Sequence, residues 1–308
     1  MVYWKKQTGG GSVKLSRQTI SFFLALFTAI TSFFGITYRD TYEPGAFPIY
    51  GIDEKAEGAM RVMSFNIRCK DVAGTPASRR RLIALEMILR VQPDSLGVQE
   101  ATPEWMFWLR RLPGYDVVGT GRDGHGRGEY NPIVYNSQKY RLVESDTFWL
   151  SETPEQVSLG WDGACRRICT WALLEDRETG RQFVHVNSHY DYAGQTAMRE
   201  GAKLVSSFIA EHFADLPVVF TADMNAVPGS EPYRIMCQTL TDLRESAPDS
   251  TIYFTYHDTQ THEDEDCIID YVLSSADVTP LTFRTVTEGV NGRYVSDHFP
   301  IYADVVLP

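Results

Sequence analysis

Several side chains able to bind a metal ion, move a proton or donate to a phosphate oxygen stand at the ends of short apolar runs. Asn66 follows "VMSF", Glu100 follows "LGVQ", His189 follows "VHVNS", and Asp223 and Asn225 close "VVFTADMN". Asp270 follows "CII", and Asp297-His298 precede an alternating run, Ile301, Ala303, Val305 and Leu307. An Asp-His pair before a strand commonly does no more than bond a nearby loop. Gathered with the others, it supplies what phosphoester hydrolysis needs. Mg²⁺ wants a near-octahedral oxygen shell, built from one or two carboxylates with water and substrate phosphate for the rest. Glu100 with Asn66 beside it suits that sparse ligation better than a tetrahedral zinc cage. A neutral histidine oriented by a carboxylate can take the proton of an attacking water. Positioned donors or an imidazolium can stabilise the charge that grows on the phosphoryl oxygens.

These groups need rigid elements to hold them. "MRVMSFNI" and "DSLGVQE" read as strands, the second ending in a carboxylate. "SRRRLIALEMILRVQ" reads as a helix with Leu82, Leu85, Ile88 and Leu89 on one face and Ser78 placed to cap it. "PIVYNSQKYRLVESDTFWL" and "CTWALLEDRETGRQFVHVNSHY" read as hairpins, the second turning at Glu178-Thr179-Gly180. Thr196 to Glu211 is a predicted helix, and "LPVVFTADMN" and "DCIIDYVLSS" are predicted strands. Residues 59–308 read as one mixed α/β domain with much antiparallel pairing.

The amino terminus differs. Lys5, Lys6, Lys14 and Arg17 precede an uncharged run from Gln18 to Tyr38, near the length that spans hydrocarbon. Residues 1–18 read as a short cytoplasmic tail, 19–38 as a transmembrane anchor or signal sequence, and 39–58 as a turn-rich linker or edge strand. No convincing small-x-small cleavage site follows the apolar core, which favours an uncleaved anchor over a secreted product. Either way the catalytic domain is expected outside the cytoplasm. The 308 residues carry 29 basic and 40 acidic side chains, a net charge of −11, which argues against avid nonspecific nucleic-acid binding. Five cysteines without CxxC spacing do not read as a zinc site; one disulfide fits an exported chain, without naming its partners.

The motifs "MSFNI", "GVQE", "NSHYD", "TADMN", "IDYVL" and "SDHFPI", in this order, resemble the endonuclease/exonuclease/phosphatase superfamily over residues 59–308. The resemblance implies an α/β (α+β) four-layer sandwich, two face-to-face mixed β-sheets flanked by helices, with the site at one edge of the sheets. It also implies roles. Glu100 would be the principal Mg²⁺ ligand (Mn²⁺ the alternative), with Asn66 and Asp297 beside the ion. Asp223 and Asn225 would orient the attacking water and a phosphate oxygen, and His298 would be the general base held by Asp270. His189 would steady the phosphate or protonate the leaving oxygen, with Glu129 in "GEYNPIVY" as its carboxylate partner. "FWLSETPE", "GWD", "RICTWA" and an HxD followed by Arg199 resemble a bacterial branch. There Arg167 and Arg199 are candidates for gripping phosphate, with Asp191 orienting one of them.

The implied function is a metal-dependent phosphodiesterase or phosphatase acting on a small or lipid-linked phosphate ester. A nuclease is the alternative, but it would want a basic stripe that this sequence lacks. An intact set of site residues speaks against a non-catalytic binding protein, and no obligate protein partner is evident. Weaker features carry blander readings. Trp149 and Trp171 suit the core, the glycines from Gly119 to Gly128 suit a mobile loop, and "THEDED" suits a solvated acidic loop. Arg79-Arg80-Arg81 most simply solvates a helix start.

Overall fold

The computed structural model describes residues 50–70, 77–257, 267–290 and 294–308. Strand β1 (Met60–Asn66) is followed by helix α1 (Ala77–Val91), β2 (Ser95–Gln99) and helix α2 (Pro103–Leu109). Next come β3 (Tyr115–Val118), β4 (Ile133–Asn136), β5 (Tyr140–Trp149), β6 (Ile168–Asp176) and β7 (Gln182–His189). Helix α3 (Gln195–His212) leads to β8 (Val218–Asp223), helix α4 (Glu231–Met236), β9 (Thr241–Asp242), helix α5 (Leu243–Ser246) and β10 (Asp249–Thr251). Strands β11 (Asp270–Ser274), β12 (Thr279–Thr285) and β13 (Ile301–Val306) complete the described elements.

Two mixed sheets result, a seven-stranded one in the order β10-β12-β13-β1-β2-β4-β3 and a six-stranded one in the order β5-β6-β7-β8-β11-β9. Side chains alternate across each strand, so a central strand must satisfy two apolar layers at once. In β1, Met63 and Phe65 join the layer formed with Leu85, Ile88 and Trp105 of the helices, whereas Met60 and Val62 join the layer between the sheets. Strand β13 does the same with Tyr302 outward and Ile301, Ala303 and Val305 inward. A third apolar layer packs α3 on the outer face of the six-stranded sheet through Met198, Val205 and Ile209. Three apolar interfaces separate four layers, the expected sandwich. Each fully buried aliphatic or aromatic side chain in them contributes about 1.5–3 kcal/mol.

The parallel pairs decide where chemistry can sit. β1 runs parallel to β2 across α1, with Asn66 opposite Gln99; β7 runs parallel to β8 across α3, with His189 opposite Asp223. Parallel strands joined by a helix end on the same side, which is where open α/β sheets bind ligands. Both units deliver their carboxyl ends to one edge of the sandwich. Toward that edge the seam between the sheets turns polar. The Ser95 hydroxyl lies 2.6 Å from His185 Nδ1, and His185 Nε2 lies 2.8 Å from the Thr221 hydroxyl. Asn187 Oδ1 accepts from Gln99 Nε2 at 2.8 Å and from Thr221 at 3.0 Å. Gly97 permits this approach, since a Cβ there would stand 1.9 Å from Thr221 Oγ1.

Local readings needed amendment at several points. "PIVYNSQKYRLVESDTFWL" does form two strands, but β4 pairs with β2 and β3 whereas β5 pairs with β6. The turn between them crosses from one sheet to the other, and a strand's own pattern does not say which edge it joins. Helix α1 begins at Ala77, so Ser78 lies within it rather than at its cap. Tyr50 to Gly58 is docked rather than a free linker: Tyr50 N–H donates to Thr287 Oγ1 at 2.8 Å and Asp53 N–H to Tyr302 Oη at 3.0 Å. The glycine loop is closed by Arg122 N–H to Glu129 O at 2.9 Å and Asp123 N–H to Arg127 O at 3.1 Å. All five cysteines are free thiols. Among the described residues no helix is long and apolar enough to cross a membrane. The expected tail and anchor at 1–38 and the "THEDED" loop lie outside the described residues.

Candidate active site at the sheet edge

The residues just past the parallel strands are bent sharply. Arg68, Glu100 and Asn225 hold φ of 57°, 61° and 48°. Left-handed backbone at a non-glycine residue costs on the order of 1 kcal/mol and persists only where its surroundings enforce it. Here it turns three functional side chains toward one another. Asn66 Nδ2 donates to Glu100 Oε1 at 3.1 Å and to Asp223 Oδ2 at 2.8 Å, tying the two sheets together. Cys69 N–H donates to Glu100 Oε2 at 2.8 Å. Asn225 N–H donates to Asp223 Oδ1 at 3.0 Å, and its Nδ2 lies 3.0 Å from His189 Nε2. Opposite them, His298 Nδ1 is 2.8 Å from Asp270 Oδ2, and its Nε2 is 3.8 Å from Asp223 Oδ2. Every one of these polar groups, Asn66, Glu100, His189, Asp223, Asp270, Asp297 and His298, is buried.

The two histidines are tuned in opposite directions. Burial, reinforced by the Arg167 charge, holds His189 well below its ordinary value, so its imidazole is neutral. Burial also works against a proton on His298, but Asp270, Asp223 and Asp297 outweigh it and push that ring up to about 10. Burial and the Asp270 charge raise the Asp223 carboxyl above the usual carboxylate range. Glu100 goes the other way. Burial opposes its ionisation, yet the adjacent His189 ring and the donors Cys69 N–H and Asn66 leave it below that range. With His189 neutral, these two hydrogen-bond donors and the Arg68 guanidinium nearby hold this carboxylate charged.

Several carboxylates at one edge suit a hard divalent cation. The chain already places a cation among them: Arg68 lies 3.8 Å from Glu100 Oε1 through Nη1 and 3.3 Å from Asp297 Oδ2 through Nε. Glu100 and Asp297 therefore converge on a position that calls for positive charge. Asp223, Asp270 and His298 also bring three ligand-type atoms within 4.8 Å of one another. In that trio the His298 ring is committed to Asp270, which suits a base and its orienting carboxylate.

The structure brings together Asn66, Glu100, His189, Asp223, Asn225, Asp270, Asp297 and His298, as expected. Asn66 enters as a donor, because Arg68 N–H takes up its oxygen at 2.9 Å, so it positions carboxylates rather than facing an ion with its oxygen. Glu129 is not the partner of His189: its Oε2 is bound by Arg122 at 2.8 Å, and His189 Nδ1 has no hydrogen-bond partner among the described residues. Arg199 lies on α3, bonded to Glu200 at 2.9 Å, and no contact joins it to the cluster. Asp191 accepts from Ala164 N–H at 2.9 Å and from Gly194 N–H at 2.8 Å, and stands 3.9 Å from Arg167. Trp149 and Trp171 are buried, as a core role requires.

Arg80 was missed by local composition. It is fully buried, and its guanidinium donates to the carbonyls of Ile67, Arg68, Lys70 and Val295. It thereby clamps the loop after β1 to the loop bearing Asp297-His298. The only sequence signal for this was an arginine triplet one turn into a helix that follows "FNIRCK".

Comparison with known proteins bears on the family and the fold. The family model described as Endonuclease/Exonuclease/phosphatase family matches residues 63–298. An endonuclease/exonuclease/phosphatase from Bacteroides vulgatus is 33% identical, with a TM-score of 0.76, over 81% of this chain and 99% of that one. The mannosyl-6-phosphatase of Bacteroides thetaiotaomicron is 29% identical, with a TM-score of 0.74, over 80% of this chain and 100% of that one. Protein angel of Drosophila melanogaster is 23% identical over 250 residues, 73% of this chain and 70% of that protein.

Proposed function

The chain belongs to the endonuclease/exonuclease/phosphatase family, whose members hydrolyse phosphoesters, and on that premise we propose a Mg²⁺-dependent hydrolase of small phosphate esters. The observation that carries this reading is the His298–Asp270 pair, 2.8 Å apart, facing Asp223 beside Glu100 at one sheet edge. Asp270 holds the Nδ1–H of His298, which leaves Nε2 to accept a proton from the attacking water. Asp223 and Asn225 orient that water. Neutral His189 donates toward the phosphoryl and leaving oxygens, while the two Asn66 amide hydrogens stay on Glu100 and Asp223. Glu100 and Asp297 would hold the divalent ion, with Asn66 keeping Glu100 aimed; the ion supplies charge for the phosphoryl oxygens. A cation held there would offset the carboxylate field that keeps the His298 ring protonated, which would free Nε2 for the incoming proton.

A net charge of −11 supports a small substrate over a polyanion. Likeness to a mannosyl-6-phosphatase at 29% identity supports the same choice. The test is turnover of aryl phosphomonoesters, aryl phosphodiesters, phospholipid head groups and oligonucleotides in Mg²⁺, Mn²⁺ or EDTA. Metal-dependent release from small esters is expected, with oligonucleotides left intact. Turnover that survives EDTA, or that prefers oligonucleotides, would sink the proposal.

We also propose that the enzyme acts outside the cytoplasm, anchored through residues 19–38. Full-length protein should sediment with membranes, and a chain starting near Gly58 should not.

A further inference from the structure

Arg167 stands next to the site and does not behave as a structural arginine. Only 7% of it is exposed, yet its guanidinium makes no hydrogen bond among the described residues and its Nε is buried without a partner there; only its backbone carbonyl is engaged, by Leu150 N–H. Its single ion pair is long, 3.9 Å to Asp191 Oδ2, because that oxygen is already occupied by Ala164 N–H at 2.9 Å and Cys165 N–H at 3.3 Å. Asp191 therefore holds the guanidinium in place without consuming its donors. Arg80 makes the contrast plain, since its donors are spent on four backbone carbonyls. Burying a charge without hydrogen bonds costs several kcal/mol and is seldom kept for stability. Arg167 sits immediately before β6, whose Cys169 pairs with Ser188, so it reaches the end of β7 where His189 begins the site. Its charge is the largest local one acting on that imidazole. Outside it, Tyr192 is 65% exposed with its ring 6.0 Å from the guanidinium carbon.

We propose that Arg167, positioned by Asp191, binds the terminal oxygen of a phosphomonoester dianion and so makes this site a phosphomonoesterase. A diester has two non-bridging oxygens, which the metal side and His189 can serve. A monoester adds a third oxygen and a second negative charge, and a planar guanidinium with free donors matches both. The inference rests on the phosphoesterase reading of the same site.

The experiment compares the full-length protein with Arg167→Met and Arg167→Lys on p-nitrophenyl phosphate and bis-p-nitrophenyl phosphate in Mg²⁺. The parent should favour the monoester. Arg167→Met should lose ~100-fold or more of kcat/KM on the monoester and less than ~3-fold on the diester, with Arg167→Lys between. Calorimetry should show inorganic phosphate binding weakened by a similar factor while Mg²⁺ binding stays unchanged. The ligand-free midpoint of Arg167→Met should equal or exceed that of the parent, because an unbonded buried charge has been removed. Equal losses on both esters, or a large loss of thermal stability, would overturn the assignment and make Arg167 structural. If the parent turns over neither ester, the phosphoesterase reading fails, and unaltered phosphate binding in Arg167→Met would separately reject this one.

Discussion

The two ends of the seam between the sheets are built from the same strands and do opposite work. At one end Met60, Val62, Phe183, Ala303 and Val305 meet in an apolar layer. At the other the same strands continue into Ser64, Gln99, Asn187 and Thr221, and then into Asn66, Glu100, His189 and Asp223. The apolar end gains free energy from every residue it buries. The site end accumulates buried charge and left-handed backbone, and its groups are held by hydrogen bonds that cross between sheets. One end stabilises the molecule so that the other can remain strained and charged.

That contrast can be broken most forcefully at the site end. His298→Ala should lower turnover by about 10³-fold or more while the thermal midpoint moves by only a few degrees. A variant that unfolded with its activity would erase the distinction. At the apolar end Met60→Ala should cost about 2–5 kcal/mol in denaturant titration. Turnover per folded molecule should stay within about twofold, and a specific loss of activity would show that the two ends are not separable.

A smaller effect is expected from the polar zone between them. Burial holds His185 down to about 3, well below its unfolded value. The folded state therefore rejects a proton that the unfolded chain accepts. The stabilisation is complete above about pH 6.5 and is lost as pH falls toward 3. Thermal midpoints of the parent should decline through that window more steeply than those of His185→Gln; equal slopes would place the acid sensitivity elsewhere. The smallest effect belongs to Arg199→Ala, whose side chain bonds only its helix neighbour Glu200 among the described residues. Its stability should stay within about 0.5 kcal/mol, and turnover of both aryl esters should be unchanged.

The sequence makes the strand ends legible because a polar residue closing an apolar run is a local signal, and parallel units gather such ends at one edge. That Asp270 would hold His298 is what the family resemblance of "IDYVL" and "SDHFPI" implies; the strand ends alone do not pair them. What stayed hidden depends on partners remote in the chain. Arg80 looks like a solvated helix start until the carbonyls of Ile67 and Val295 are beside it. Glu129 lies in the right neighbourhood, but Arg122, seven residues earlier, claims its carboxylate. Arg199 and Arg167 look alike as text. Burial separates them, and burial is set by β6 and α3 rather than by either arginine's neighbours.

The pairing of β1 with β13 carries a consequence for how the chain matures. Met60 aligns with Val305, so the first described strand waits for the last before its second edge is covered. Contacts so distant in sequence form slowly, and until they do β1 exposes an open edge to other chains. The same late strand brings in Asp297 and His298. A chain arrested during synthesis could assemble most of one sheet and still lack its base, so hydrolytic competence arrives only with completion of the fold.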